Sequence, residues 1–385
     1  MTRILVSVVF ALMAWATQAP SQSLLFSPAP GSPVPVGAGS GNLLLADVNG
    51  DGKLDLVTGH ILGRKLTVQL GDGSGRFAPA PGSPIVLSYM PEDIKLGDVN
   101  GDRILDLGVT SSDPEVVDIF LGNGKGAFSR APGSPFAASA SKGFHPGSLH
   151  LVDINEDGKL DIVTANARSN TFGTLLGDGR GGFSPGPVTN LDLDAGHDRH
   201  WFAFGDLDRD GHLDVAAVNG TVGESGPGRV VVQRGDGKGA FKSAIGGALS
   251  VPSGAFCLRL ADMNGDQRLD IVISHGNNDV TVLLNNGKGV FSPASGSPYN
   301  IGTVGWELAV GDVNGDRKAD LVVATVDSVT VLLGDGRGFA RAPGSPYAAG
   351  PGAYHLAVGD INGDGKLDVT AASFEGTGVT VLLGR

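Results

Sequence analysis

Residues 312–341 read DVNGDRKADLVVATVDSVTVLLGDGRGFAR, and this stretch contains nearly every part of a unit that recurs along the chain. It opens with the pattern Asp-x-Asn-x-Asp-x-x-x-Asp, continues through two runs rich in Val and Leu, and turns at Gly334-Asp335-Gly336 before Phe339. Asp-Gly tolerates the positive φ angles of tight hairpins. The two apolar runs and the segment after Phe339 are therefore predicted to be consecutive antiparallel strands.

The Asp pattern occurs seven times, and successive copies are 51, 55, 53, 56, 50 and 48 residues apart. A period near 50 that fills the chain is typical of a propeller or a solenoid. Each unit has a short apolar run before the Asp loop, two strands after it, and a fourth strand that begins at a Phe. Four short strands joined by hairpins make one propeller blade.

The phase of the repeat favours a closed ring over an open solenoid. Residues 379–385 match the third strand of a unit, and residues 26–33 match the fourth strand that this last unit lacks. A ring uses both halves, because pairing them removes an exposed sheet edge. We predict an all-β fold: a seven-bladed β-propeller with four-stranded antiparallel blades, in which the N-terminal strand closes the ring.

Composition excludes several other classes of protein. The 62 Gly residues argue against a helical bundle, because Gly is destabilising inside helices. A net charge of −12 leaves no broad positive field for nucleic acid or anionic lipid, so neither is expected as a partner. Cys257 is the single cysteine, which excludes an intrachain disulfide and multi-cysteine metal centres. We expect no membrane span in residues 20–385, which we assign to the propeller.

Residues 1–19 have the features of a secretory signal peptide. Arg3 provides a positive start, residues 4–16 are almost entirely apolar, and small residues allow cleavage after Ala16 or Ala19. Cleavage after Ala16 is favoured, because the other site would place Pro20 directly after the cut. The mature protein is expected to be secreted, either to the periplasm or outside the cell.

The Asp loops carry the chemistry that the sequence predicts best. Oxygen side chains at loop positions 1, 3, 5 and 9, with a backbone carbonyl at position 7, suit a hard cation that takes six to eight oxygen ligands. We predict Ca2+ as the cofactor, with up to seven ions and coupled folding. The predicted ligands are Asp47, Asn49, Asp51, Asp55, Asp98, Asn100, Asp102, Asp106, Asp153, Asn155, Asp157, Asp161, Asp206, Asp208, Asp210, Asp214, Asp262, Asn264, Asp266, Asp270, Asp312, Asn314, Asp316, Asp320, Asp360, Asn362, Asp364 and Asp368.

Three other interpretations of these loops fit the sequence less well. Asx-turns, in which Asp and Asn bond their own backbone, explain one acid per turn but not an acid at positions 1, 5 and 9 in every copy. Mg2+ demands stricter octahedral geometry, and no EF-hand Glu stands at position 12. Position 6 is Gly in loops 1, 3, 4 and 7, which are expected to fill first, and is Arg103, Gln267 and Arg317 in the other loops.

The loops, the recurring Phe and the Gly-Ser-Pro segments resemble the FG-GAP/VCBS repeats of the integrin α-subunit β-propeller and its bacterial relatives. The resemblance extends over residues 24–385. It implies a calcium-binding propeller whose ion loops lie at one face, with ligands or partner subunits at the opposite face. Similar repeats occur in fungal lectins and beside the catalytic modules of some polysaccharide-degrading enzymes, so the resemblance does not fix the activity.

A candidate ligand site follows from the repeat itself. Positions −4 and −2 before each first Asp are apolar in all seven units and should pack between blades. Positions −6 and −5 differ between units and should emerge near the central axis, on the face opposite the Asp loops. Aromatic rings beside acids and histidines suit a sugar or a peptide. The predicted ligand-binding residues are Glu92, Asp93, His200, Trp201, Trp306, Glu307, Tyr354 and His355.

The sequence favours a non-catalytic binding or adhesion module for a glycan or an extracellular protein. A second hypothesis is a polysaccharide lyase or hydrolase that uses the inserted residues 197–201, where His, Asp and Arg could perform acid–base chemistry. A third is an exported structural scaffold. Arg234-Gly235-Asp236 reads like an adhesion tripeptide, but it occupies the hairpin position of Leu176-Gly177-Asp178, so we predict a hairpin there.

Overall fold

The computed structural model describes residues 24–138, 146–166, 170–193, 200–219, 226–242 and 247–385. These ranges contain strands and turns and no helix, and therefore no helix that could cross a membrane. The first strands are β1 (Phe26–Pro28), β2 (Val34–Pro35), β3 (Ser40–Ala46), β4 (Asp55–His60), β5 (Lys65–Gly71), β6 (Phe77–Pro79), β7 (Ile85–Val86), β8 (Asp93–Gly97), β9 (Asp106–Ser112), β10 (Glu115–Gly122), β11 (Phe128–Arg130) and β12 (Phe136–Ala137).

The middle of the chain forms β13 (Pro146–Val152), β14 (Asp161–Asn166), β15 (Thr171–Gly177), β16 (Phe183–Asn190), β17 (His200–Gly205), β18 (Asp214–Asn219), β19 (Gly228–Gly235), β20 (Phe241–Lys242), β21 (Leu249–Val251), β22 (Ala255–Ala261), β23 (Asp270–His275), β24 (Asp279–Asn285), β25 (Phe291–Pro293) and β26 (Tyr299–Asn300). The last strands are β27 (Leu308–Gly311), β28 (Asp320–Ala324), β29 (Ser328–Gly334), β30 (Phe339–Arg341), β31 (Tyr347–Ala348), β32 (Ala353–Gly359), β33 (Asp368–Ser373) and β34 (Gly378–Gly384).

The strands form seven antiparallel sheets, one for each repeat, as the sequence predicted. In the first blade the order is β3-β4-β5-β6, and the other blades repeat this order outward from an inner strand. Each Asp loop joins the inner strand to the second strand, so all seven loops lie at the same end of their blades. The turns between second and third strands, and the connections to the next blade, lie at the opposite end. The two ends are called the loop face and the opposite face below.

The outer strand of most blades is divided in two, which the sequence analysis did not predict. In the first blade both β6 and β7 pair with β5, and the interruption falls on the Ala-Pro-Gly-Ser-Pro segment. The hydroxyl oxygen of Ser83 accepts the backbone N–H of Val68 at 3.0 Å, where an unbroken outer strand would have paired. Ser134 makes the same bond with Ile119 at 2.7 Å. The third blade lacks this segment, and its outer strand β16 continues for eight residues.

The hydrophobic core is divided into seven clusters, and each cluster lies between two neighbouring blades. Position −4 of every inner strand is buried within a cluster, as the apolar pattern predicted. Position −2 is partly buried against a cluster in every blade. Neighbouring blades are therefore held together mainly by apolar side chains, because no strand of one sheet pairs with a strand of the next. Single hydrogen bonds also join them, such as the one from the Gly126 N–H to the Val48 carbonyl oxygen.

Ring closure follows the predicted scheme. β1 pairs with β34, with Phe26 opposite Gly384, and β2 pairs with the start of β34. The cluster between the seventh and first blades combines Val34 and Leu43 with Val379 and other residues of the last unit. The inner strands β3 and β32 are in contact as well. The N-terminal strands thus complete the seventh blade and leave no unfilled position in the ring.

Candidate metal loops and the opposite face

Each Asp loop is tied together by hydrogen bonds from its own backbone. In the first loop, Asp47 accepts the N–H groups of Gly50 at 2.7 Å and Gly52 at 2.8 Å. Asn49 Oδ1 accepts the N–H of Asp51 at 2.9 Å, and Asp51 Oδ1 accepts that of Lys53 at 2.9 Å. These are the bonds of Asx-turns, so that interpretation describes the backbone correctly. It does not exclude an ion, because each oxygen has further lone pairs.

The loop backbone requires positive φ at positions 4 and 6. Gly50 and Gly52 have φ of 77° and 81° in the first loop. Arg103, Gln267 and Arg317 reach the same region at position 6, with φ of 66°, 63° and 66°. The three loops that lack Gly at position 6 therefore have the same shape as the others, although a non-Gly residue is strained there.

The ninth residue of each loop has a structural role that the sequence analysis missed. All seven of these Asp side chains are fully buried. One carboxylate oxygen accepts the N–H of loop position 2 at 2.8–3.1 Å. The other accepts the N–H of the last third-strand residue at 2.7–3.0 Å. The ninth Asp therefore fastens the loop to the end of the third strand.

Burial also changes the acidity of these seven groups. It raises the pKa of each carboxyl above the ordinary Asp value, although the backbone N–H bonds act in the opposite direction. The pKa of Asp214 and of Asp270 reaches about 6. Neighbouring loop carboxylates add to the increase, since like charges disfavour ionisation. A bound cation would offset this repulsion.

The glycine that ends the third strand is the sequence feature that could have indicated the contact between this strand and the ninth loop Asp. A Cβ on Gly71 would collide with the carbonyl oxygen of Leu54, the residue before Asp55. The same collision faces the equivalent glycines of the second, third, fourth and sixth blades. The third strand therefore approaches the loop so closely that its N–H reaches the buried carboxylate, which explains why Gly recurs there.

The donor set of the loops fits a calcium ion. Positions 1, 3 and 5 offer carboxylate or amide oxygens from one short loop, and hard cations prefer such ligands. In the fourth loop, oxygens of Asp206, Asp208 and Asp210 lie within 4.8 Å of one another. Asp214 of the same loop uses its oxygens for Leu207 and Gly235 N–H groups at 2.8 and 3.0 Å.

On the opposite face, aromatic rings from the fifth, sixth and seventh blades form a continuous stack. The ring of Trp306 lies 4.3 Å from Phe256 and 4.4 Å from Tyr354, between ring centroids. Phe374 continues the stack at 6.0 Å from Tyr354. The Tyr354 hydroxyl donates to the exposed Glu375 at 3.2 Å. Trp306 Nε1 is buried and has no hydrogen-bond partner among the described residues.

Charged side chains continue from this stack into the channel. Glu307 pairs with Arg259 at 2.6 Å and with His355 Nδ1 at 3.1 Å. Burial opposes ionisation of Glu307, but the His355 hydrogen bond and the Arg259 charge outweigh it and lower the pKa to about 2. Arg259 and Glu307 come from different blades, so this ion pair bridges the fifth and sixth inner strands.

The other predicted ligand residues take part in different contacts. Asp93 is buried, pairs with Lys95 at 2.8 Å, and accepts the N–H of Leu149 at 2.9 Å. Glu92 accepts the Ser112 hydroxyl at 2.8 Å. Asp93 thus joins the second and third blades and is not an exposed ligand group.

Trp201 packs against the core between the fourth and fifth blades. The backbone of His200 begins β17, and its side chain lies outside the described residues, as do residues 197–199 of the proposed acid–base insertion.

Sequence reasoning missed Lys95 and Arg259, which occupy position −3 of their inner strands. This position alternates with the apolar positions −4 and −2 and therefore lies on the other side of the sheet, where Leu44, Ala203, Ala309 and Ala357 pack against the cluster shared with the following blade. It varies between blades, as Leu44, Lys95, His150, Ala203, Arg259, Ala309 and Ala357. The variation is the signal that could have identified it. Burial, together with the charges of Lys95 and Arg259, lowers the pKa of His150 to about 3.

Seven repeated blades, each with an Asp loop at the same end, define a repeat propeller of the all-β class. The sequence profile of the FG-GAP-like repeat matches residues 47–109, 98–164, 153–217, 262–323 and 312–371. These matches cover more than two thirds of the chain, and the protein belongs to the FG-GAP-like repeat family. No curated protein matches the sequence.

Solved structures with the same fold are distant in sequence. BBS1N, crystallised in complex with ARL6DN, is 14% identical with a TM-score of 0.63, covering 94% of this chain and 97% of BBS1N. A Lactobacillus plantarum protein is 14% identical with a TM-score of 0.62, covering 84% and 88%. An Agrocybe aegerita lectin that recognises non-reducing terminal N-acetylglucosamine is 21% identical with a TM-score of 0.51, covering 87% and 85%. Such similarity establishes the fold alone.

Proposed function

We propose that the protein is a calcium-stabilised propeller that acts as a non-catalytic binding module, with a glycan or protein ligand on the opposite face. One observation carries the proposal: the two faces differ in how they repeat. The loop face has the same Asp arrangement in seven blades, as expected of a structural element. Within the described residues, the opposite face has one aromatic stack beside Glu307, Arg259 and His355, to which three blades contribute.

Support for calcium comes from the density of acidic groups. The predicted ligand positions of the loops hold 22 of the 40 acidic residues of the chain, and seven of these are fully buried. An ion that binds only the folded state stabilises it by RT ln(1 + [L]/Kd), about 2.7 kcal/mol per site at one hundred times Kd. Thermal unfolding should therefore shift upward when Ca2+ replaces EDTA, and Mg2+ should have a smaller effect.

A variant with one loop disabled provides the matched control. Asp316→Ala removes the fifth-position carboxylate of the sixth loop, whose side chain is 38% exposed. We expect one ion fewer per chain and a smaller calcium-induced shift, with the EDTA midpoint changed little. Identical melting in Ca2+ and EDTA for the unmodified protein would contradict the calcium proposal.

Support for the ligand face comes from the stack around Trp306. Flat rings at the edge of a channel, next to fixed carboxylates, offer stacking surface and hydrogen-bond acceptors to a sugar or a peptide. Glycan and extracellular-protein arrays, read with and without EDTA, would identify the ligand class. Trp306→Ala should abolish binding while the calcium-induced rise in melting temperature is kept. Trp201 was predicted to act with it, but Trp201 packs against the core between the fourth and fifth blades and is not part of this stack.

Tyr299→Ala is the control for removal of an aromatic ring elsewhere. Tyr299 meets Phe339 edge to face at 5.1 Å on an outer strand, away from the channel, and its loss should leave binding unchanged. If the Trp306→Ala variant binds the identified ligand normally, the opposite face is not the binding site.

Export is part of the same proposal. Residues 1–19 lie outside the described residues, so the support is the sequence pattern alone. N-terminal sequencing of the protein recovered from the cell exterior or periplasm should begin after Ala16 or Ala19. Recovery of full-length protein from the cytosol would contradict export.

A further inference from the structure

The fourth blade differs from the other six at two positions that touch each other. Position 3 of its loop is Asp208, where the other loops have Asn49, Asn100, Asn155, Asn264, Asn314 and Asn362. The next-to-last residue of its third strand β19 is Arg234, where the others have Leu70, Leu121, Leu176, Leu284, Leu333 and Leu383. One added negative charge is thus accompanied by one added positive charge in the same blade.

The two side chains form an ion pair. Arg234 Nε lies 2.5 Å from Asp208 Oδ2, and the Asp208 side chain is only 3% exposed, against 43% for Arg234. Asp208 Oδ1 accepts the N–H of Asp210 at 3.1 Å. The hairpin of the next blade covers the site, since Gly289 donates its N–H to the carbonyl oxygen of Leu207 at 3.1 Å. Asp208 Oδ1 therefore accepts a hydrogen bond from the loop, whereas Oδ2 makes no hydrogen bond and has the guanidinium of Arg234 as its counter-charge.

The negative charge of the fourth loop explains why a nearby arginine side chain stabilises it. Asp206, Asp208 and Asp210 bring three carboxylates within 4.8 Å of one another, and a buried carboxylate without a counter-charge is strongly destabilising. The six sister loops avoid the problem with a neutral Asn. In the fourth loop the guanidinium of Arg234 supplies the positive charge that balances Asp208. An arginine side chain in a protein stays protonated, so this charge is always present. The same positive charge repels a second cation that approaches Asp208.

We propose that Arg234 is a tethered counter-ion that holds the fourth loop in shape without metal, and that this loop binds calcium more weakly than it would with Leu. The weaker calcium binding rests on the proposed calcium function, whereas the counter-ion role of Arg234 does not. It reverses the expectation from Gly211 at position 6, which ranked the fourth loop among the first to fill. It also gives Arg234-Gly235-Asp236 a role within the blade, because its Arg is engaged by Asp208.

The first experiment measures thermal unfolding in EDTA, where calcium binding plays no part. Arg234→Leu leaves Asp208 buried and unpaired, and should lower the midpoint by about 2 °C or more. The double variant Asp208→Asn with Arg234→Leu reproduces the sister blades and should restore the midpoint. Arg180→Leu removes an exposed hairpin arginine of the third blade and should change nothing. An unchanged midpoint for Arg234→Leu would overturn the counter-ion role.

The second experiment measures calcium bound per chain by equilibrium dialysis against a range of free Ca2+. Arg234→Leu should strengthen one site tenfold or more. Asn155→Asp with Leu176→Arg transfers the pair to the third loop and should weaken one site there. An isotherm of Arg234→Leu that matches the unmodified protein would overturn the proposed effect on calcium. If the unmodified protein binds no calcium, the proposed function fails, while the EDTA experiment still decides the role of Arg234.

Discussion

Closure of the ring should depend on one short strand, and Phe26 is the residue that tests it. Its side chain is 1% exposed and meets Tyr347 edge to face at 5.3 Å. Truncation of a buried Phe to Ala removes about 3–5 kcal/mol from the free energy of unfolding. Because β1 has only three residues, we expect Phe26→Ala to release the whole strand from β34.

Deletion of residues 24–33 should be more severe. It removes Phe26 and Ala29 from the core, together with the bond from the Val381 N–H to the Ser32 hydroxyl oxygen at 2.9 Å. It also leaves β34 as an open edge, which invites association with other chains. The expected loss is several kcal/mol, accompanied by concentration-dependent aggregation.

Urea unfolding in excess Ca2+, followed by tryptophan fluorescence, measures both effects. Val86→Ala is a suitable control, because Val86 is 79% exposed on the outer strand of the first blade and its truncation should cost less than about 0.5 kcal/mol. If Phe26→Ala and the deletion both stay within about 1 kcal/mol of the unmodified protein, closure does not depend on β1, and the reasoning from repeat phase is wrong.

Three further predictions concern buried polar groups. Burial lowers the pKa of His60 to about 4, so the stability it contributes is full above its unfolded pKa of 6.5. That stability is lost as the pH falls toward 4, by up to about 3 kcal/mol. The His60→Gln variant should therefore lose less stability than the unmodified protein when thermal unfolding is compared at pH 7 and pH 4. Asp320→Ala frees the sixth loop from Gly334 and should cost about 3 kcal/mol in urea unfolding in EDTA; an unchanged midpoint would contradict its fastening role. Tyr89→Phe removes the 2.6 Å bond to Asp118 and should cost about 1–2 kcal/mol by the same assay, whereas no loss would mean that Arg130 and Ser134 satisfy Asp118 alone.

The overall fold could be predicted because it depends on features that repeat. Seven Asp loops and seven Phe-initiated strands set the number of blades, and the incomplete units at 26–33 and 379–385 indicated closure. The position of the inter-blade core also followed from periodicity, since positions −4 and −2 are apolar in every unit. Such patterns can be seen in a single sequence, because every blade packs against its neighbours with the same positions.

Contacts between unlike residues of different blades could not be predicted in this way. Arg259 and Glu307 are 48 positions apart, and nothing in either segment indicates that their side chains meet in the channel. Asp93 looked like an exposed ligand group, but Lys95 and the Leu149 N–H hold it in a buried pair. The fastening role of the ninth loop Asp was hidden for another reason. The sequence pattern of a predicted metal ligand and that of a buried hydrogen-bond acceptor require the same residue.

The pairing of β1 with β34 has a consequence for synthesis on the ribosome. Phe26 is made long before its partner Gly384, which lies 358 positions further along the chain. Until β34 has been made, β1 has no partner strand, and the side of the first blade that packs against the seventh blade stays exposed. Contacts of such long sequence separation form late and slow the final folding step. Nascent chains that do not yet include β34 should therefore remain as incomplete rings that need protection by chaperones. The ring can close only once β34 is available to pair with β1.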